Sequence, residues 1–129
     1  MTPLFVWIWW FFWAIARFYV TKYWAFLFGS HFPYGTLLAN LIGSFIIGCL
    51  FALFENVVVD PKYKSMVTTG FLWALTTFST FAMETFFMID RWNYFHFILN
   101  ISLNLIWTIL FAGLGYYLVS YIFKNTAWN

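Results

Sequence analysis

The chain has 129 residues, 64% of them hydrophobic and only 8% charged, where an ordinary soluble domain is about 25% charged. No soluble core of this size hides so much apolar surface, so the solvent for most of the chain must be lipid. A formal net charge of +2 without a basic patch argues against nucleic acid as a partner, and the lone Cys49 reads as a small packing residue, since a single thiol makes no intrachain disulfide and no metal cluster.

A helix needs about 20 apolar residues to cross the hydrocarbon of a bilayer. Residues Leu4 to Leu27 form the first such run. It has no basic leader and no small-residue cleavage site, so it is expected to be retained as a span. Arg17 lies well along it, where an arginine must snorkel to the interface, pair with a carboxylate, or raise the potential at an anion entrance. The second run is Tyr34 to Phe54, opened by Pro33. On it Asn40, Ser44 and Gly48 recur every fourth residue, beside a strip of Ala39 and Gly43. That face suits close helix packing, with Asn40 as an interhelical hydrogen-bonding group, or it lines a polar path.

The third run, Ser65 to Ile89, holds the segment "TGFLWALTTFSTFAMET". Thr76, Thr77, Ser79 and Thr80 crowd its centre, Phe78 and Phe81 lie between them, and Glu84 follows one turn later. Hydroxyl and β-branched residues at this density weaken a helix and compete for its backbone groups. A break is expected here, and one at membrane depth is tolerated only inside protein or beside a cavity. Freed carbonyls suit a small cation and hydroxyls suit an anion. A phenylalanine edge, with its partial positive charge, also admits an anion.

The fourth run, Tyr94 to Phe123, carries Asn100, Asn104 and Thr108 on one face. Such a line of polar groups suits a narrow hydrated path or a polar helix pair. The connections "FGSHFP", "ENVVVDPKYK" and "DRWN" are short, so residues 1–129 read as a single transmembrane unit. With both termini on one side, Lys62, Lys64 and Lys124 oppose Arg17, Lys22 and Arg91. The positive-inside rule then selects no orientation. Two copies could pair antiparallel, as an inverted repeat made of separate subunits. His31 and His96 cluster with no nucleophile, and no metal-ligand spacing is visible, so no enzyme is expected.

Taken together, "GTLLANLIGSFIIG" (35–48), "TTGFLWALTTFSTFAMET" (68–85), "LNISLNLIWT" (99–108) and the Ala16-Arg17 pair resemble the Fluc/CrcB fluoride channels over nearly the whole chain. The resemblance implies an all-α membrane protein with four transmembrane helices per subunit, the third broken near its middle, in an antiparallel dual-topology dimer. It implies passive export of cytoplasmic fluoride across the cell membrane along two pathways. The pathway would use Asn40, Phe78, Phe81, Thr77, Ser79, Thr80, Asn100, Asn104 and Thr108. A structural sodium ion would sit on the backbone carbonyls of Trp73 and Thr76. Arg17 and Glu84 match further recurrent positions.

The chain departs from the family pattern where Trp73-Ala74 replaces a Gly-Gly pair, where Trp107 replaces a small residue, and where "WWFFWAIAR" replaces a glycine-rich stretch. Trp73 keeps a carbonyl but lacks glycine's freedom at positive φ. These changes keep open a heterodimer with a second family member, or a non-conducting subunit. A small four-helix multidrug exporter shares the length, but it uses a first-span carboxylate where this chain has Arg17.

Overall fold

The computed structural model describes residues 2–29 and 31–126; the side chains of residues 2, 5, 9, 71–73 and 126 lie outside that description. The described residues are helical, with no strand among them. They form α1 (Thr2–Phe28), α2 (Tyr34–Asn56), α3 (Pro61–Ser65), a π-helical stretch (Met66–Leu72), α4 (Trp73–Leu75), α5 (Phe78–Asp90), α6 (Tyr94–Ser102), a second π-helical stretch (Leu103–Trp107) and α7 (Thr108–Thr126). The helices fall on the apolar runs read from the sequence. The third begins earlier than expected, at Pro61 rather than Ser65, because Asp60 caps it by accepting from the Lys62 N–H at 2.8 Å and Pro61 suits the first helical position.

Local chemistry sets the other ends. Gly29, at φ 78°, takes the left-handed conformation that stops a helix with least strain. Asn93 caps α6, its Oδ1 taking the His96 N–H at 3.4 Å. Before it, Trp92 turns the chain at φ 58°.

Two helices, Tyr34–Asn56 and the continuous Tyr94–Asn125, are long and apolar enough to cross a membrane, with mean hydropathies of 2.3 and 1.9. Their burial pattern is inverted relative to a soluble protein. Much of the buried set is small or polar, including Thr36, Ala39, Ala52, Asn100 and Asn104, while Trp7, Phe26 and Phe95 are more than 70% exposed. One small apolar cluster, Phe32, Leu37 and Met88 with Phe97 and Leu103 around it, closes one end of the bundle.

The long helices approach one another through glycine. A Cβ on Gly48 would fall on the Ala112 carbonyl, and one on Gly115 on the Phe45 carbonyl. Backbone therefore meets backbone across the α2/α7 seam, which no larger residue permits. Cys49 packs at this seam beside Gly115. Gly35 makes the corresponding approach to α1 at Thr21. Gly48→Val is expected to destabilise the bundle by about 1–3 kcal/mol, the usual range for overpacking, seen as a lower melting temperature in detergent.

Candidate functional site

The third helix breaks at Thr76 and Thr77. Thr77 is extended, at φ −148° and ψ 116°, and is the N-cap of α5. Two hydrogen bonds explain the break. In a continuous helix the Thr77 N–H would go to the Trp73 carbonyl and the Thr80 N–H to the Thr76 carbonyl. Here the Thr77 N–H donates to Asn40 Oδ1 at 2.9 Å, and the Thr80 N–H donates to Thr77 Oγ1 at 3.3 Å. The helical donors of both carbonyls are thus diverted to side chains. Trp73 itself is helical, so glycine's access to positive φ is not called for at this position.

These are the two carbonyls that the family resemblance assigns to sodium, and backbone oxygens are the ligand type that a hard cation takes. The Thr76 carbonyl also accepts from Arg17 Nη1 at 3.3 Å. This contact gives Arg17 a partner deep along α1. It also puts a positive group on that oxygen.

On the other side of the break α5 begins at Phe78, beside a groove, and the positive end of a helix dipole favours an anion. The groove holds about 830 Å³ and is lined by Asn40, Ser44, Thr76, Thr77, Asn104 and Thr108, with both Phe78 and Phe81. The two rings lie 5.7 Å apart, tilted at 51°, and Phe78 is 79% exposed. Ser79 and Thr80 are exposed on α5. Thr77 Oγ1 donates to Thr80 Oγ1 at 3.0 Å, and neither Ser79 nor Thr80 is among the residues that line the groove.

The asparagines are committed to one another. Asn40 Nδ2 donates to Asn104 Oδ1 at 2.9 Å and to the Thr77 carbonyl at 3.4 Å. Asn104 Nδ2 donates to Asn100 Oδ1 at 2.9 Å and to the Asn100 carbonyl at 3.1 Å. Asn100 is fully buried and does not reach the groove. Thr108 Oγ1 bonds the Asn104 carbonyl. The π-helical stretch around Asn104 was not expected from the sequence; such bulges have weak sequence signals and concentrate at functional sites.

Glu84 lies apart, in a second cavity of about 280 Å³ beside Thr21, Tyr34 and Arg91. Its Oε1 accepts from Thr36 at 2.8 Å, while its buried Oε2 has no hydrogen-bond partner. Thr36 and Thr85, both buried and polar, were missed. Thr36 lies four residues before Asn40 and so extends the Asn40/Ser44/Gly48 face, a signal that could have found it; Thr85 belongs to no such face and needed the fold to reveal it. Among the described residues no group of three or more His, Cys, Asp or Glu side chains could hold a metal.

An all-helical, lipid-facing bundle with a broken helix, polar groups at the break and an aromatic pair beside it has the form of a membrane ion-conducting protein. The chain belongs to the family described as "CrcB-like protein, Camphor Resistance (CrcB)", which it matches over residues 4–116. It is 50% identical over 99 residues to a Nitratiruptor protein named "Fluoride-specific ion channel FluC", covering 77% of each chain. Relatives of the same name from Shewanella woodyi (45% identical; 82% of this chain, 86% of the relative) and Vibrio parahaemolyticus (42%; 82% and 84%) match similarly.

Thr77→Val is expected to lose the α5 cap, at a cost of about 1 kcal/mol, while Thr77→Ser keeps it. Faster hydrogen exchange of the Thr80 amide in the valine variant alone is the measurement that checks this.

Proposed function

We propose that this chain is the subunit of a fluoride channel that lets cytoplasmic fluoride leave passively, and that it is not an enzyme. The observation that carries the reading is the break at Thr76–Thr77, which sets the start of α5, Thr76, Thr77 and the Phe78/Phe81 pair beside one groove. Family membership and the names of the relatives support it. A small anion is strongly hydrated, so it moves only if donors replace its water at several weak sites in series. Hydroxyls and the positive edges of the rings supply those donors.

In this reading four helical segments cross the cell membrane, and residues 1–129 form one unit. The 27 residues of α1 extend about 40 Å at 1.5 Å per residue, against a hydrocarbon core of about 30 Å. Residues 61–90 make the third crossing with its break. A groove of about 830 Å³ is far larger than one dehydrated ion needs, given about 30 Å³ for a water. A second protein surface must therefore narrow it. The balanced basic residues on the two sides support an antiparallel partner, most simply a second copy of this chain, with a fourfold set of carbonyls from Trp73 and Thr76 around a structural sodium. Sodium would offset the charge of those oxygens and pin the two breaks together.

Fluoride efflux from liposomes holding only this purified chain, with chloride as control, tests the reading. Rapid efflux of fluoride and not chloride is expected, whereas folded protein that passes neither ion would leave only an obligate partner chain or a lost pore. Phe81→Leu keeps bulk but removes the ring edge; a fall in efflux of about tenfold or more is expected, equivalent to raising the barrier by about 1.4 kcal/mol. Replacing sodium with a large organic cation is expected to weaken dimerisation, read by size-exclusion chromatography, and to slow efflux in parallel.

A further inference from the structure

The polar groups around the groove form one continuous hydrogen-bonded chain that crosses three helical segments. The Thr77 N–H donates to Asn40 Oδ1 at 2.9 Å, Asn40 Nδ2 to Asn104 Oδ1 at 2.9 Å, and Asn104 Nδ2 to Asn100 Oδ1 at 2.9 Å. Asn100 Nδ2 then donates to Thr85 Oγ1 at 2.9 Å, and Thr85 Oγ1 donates to the Phe81 carbonyl at 2.6 Å. The path leaves the third helix at its break, passes through α2 and the fourth helical segment, and returns to α5 at the aromatic pair.

Its direction is fixed by its two ends. A backbone N–H can only donate, and a backbone carbonyl can only accept. Each amide between them must therefore accept through oxygen and donate through nitrogen. Turning any one asparagine over would set oxygen against oxygen on one side and N–H against N–H on the other. All three amides share a single orientation, and their dipoles align and polarise one another. Thr85 is the link that makes the terminus work. It accepts from the Asn100 amide and donates to the Phe81 carbonyl, and it is buried.

We infer that Thr85, with Asn100 behind it, is a positioning residue of the anion path: it anchors the one-way chain to Phe81 and so holds α5 at the register that keeps Phe81 beside Asn40 and Asn104. This rests on the fluoride-channel reading for its functional consequence, but the chain itself does not. Thr85 touches no conducted ion in this assignment. It acts through Asn100 and Phe81. The same chain commits both N–H groups of Asn40 and of Asn104, so these amides shape the path while hydroxyls serve the ion.

Thr85→Val is nearly isosteric and removes only the hydroxyl; Thr85→Ser keeps it. In the channel assay Thr85→Val is expected to slow fluoride efflux by about tenfold with an unchanged elution position in detergent, and Thr85→Ser to restore most of the rate. Full efflux in folded Thr85→Val, or a serine variant as slow as the valine one, would overturn the assignment. A second measurement needs no transport. In protein carrying isotope-labelled asparagine, the side-chain amide protons of Asn40, Asn100 and Asn104 are expected to exchange slowly. Thr85→Val should speed exchange first at Asn100. Unchanged protection at Asn100 in that variant would refute the chain even if the parent protein conducts. A parent protein that shows the exchange pattern but passes no fluoride would instead remove the reading of a self-sufficient channel and leave the hydrogen-bonded chain standing.

Discussion

The hydrogen bond from the Thr77 N–H to Asn40 Oδ1 is the contact on which the rest of the site depends. It takes a donor away from the third helix and so creates the break. It also starts the polar chain through Asn104 and Asn100. A helix interrupted in hydrocarbon must satisfy the groups it frees, because no water is at hand to do so. Asn40 satisfies the N–H and the carbonyl of Thr77 at once, and Thr77 then caps the helix that resumes. One side chain on a neighbouring helix makes an otherwise costly interruption tolerable.

The break also sorts charge. Toward α4 it presents carbonyls, one of them already holding the Arg17 guanidinium. Toward α5 it presents N–H groups, the positive end of a 13-residue helix and the hydroxyls of Thr77 and Thr80. Opposite ends of one chain segment thus present opposite partial charges at the break. Half-helices that meet at the membrane midplane follow the same logic in transporters. The close α2/α7 seam at Gly48 and Gly115 supports this arrangement by bringing Asn40 within reach of Asn104.

Glu84 stands outside that scheme. It shares a cavity with Thr21 and Arg91, and Thr36 holds one of its oxygens. The sequence places it one turn beyond Thr80, which suggests a common site, yet the fold gives it a different set of neighbours. Spacing along a helix reports which face a residue shares. It does not report how far along that face a cavity extends.

The sequence by itself determined the lipid environment, the helical runs and the place of the break. Those follow from composition and from local competition for backbone groups, which act over a few residues. It also marked Asn40, Asn100, Asn104 and Thr108 as polar residues needing partners, because an amide in hydrocarbon has to be paired. What it left open was whether these amides face an ion or one another, and only the tertiary structure decided that. The answer depends on distances across helices: Asn40 to Asn104 across 64 positions of sequence, and Asn100 to Thr85 across 15. Thr85 went unnoticed for the same reason, since a threonine outside any polar face has no pattern until its partner is folded against it, whereas Thr36 was legible one turn before Asn40 on the same face.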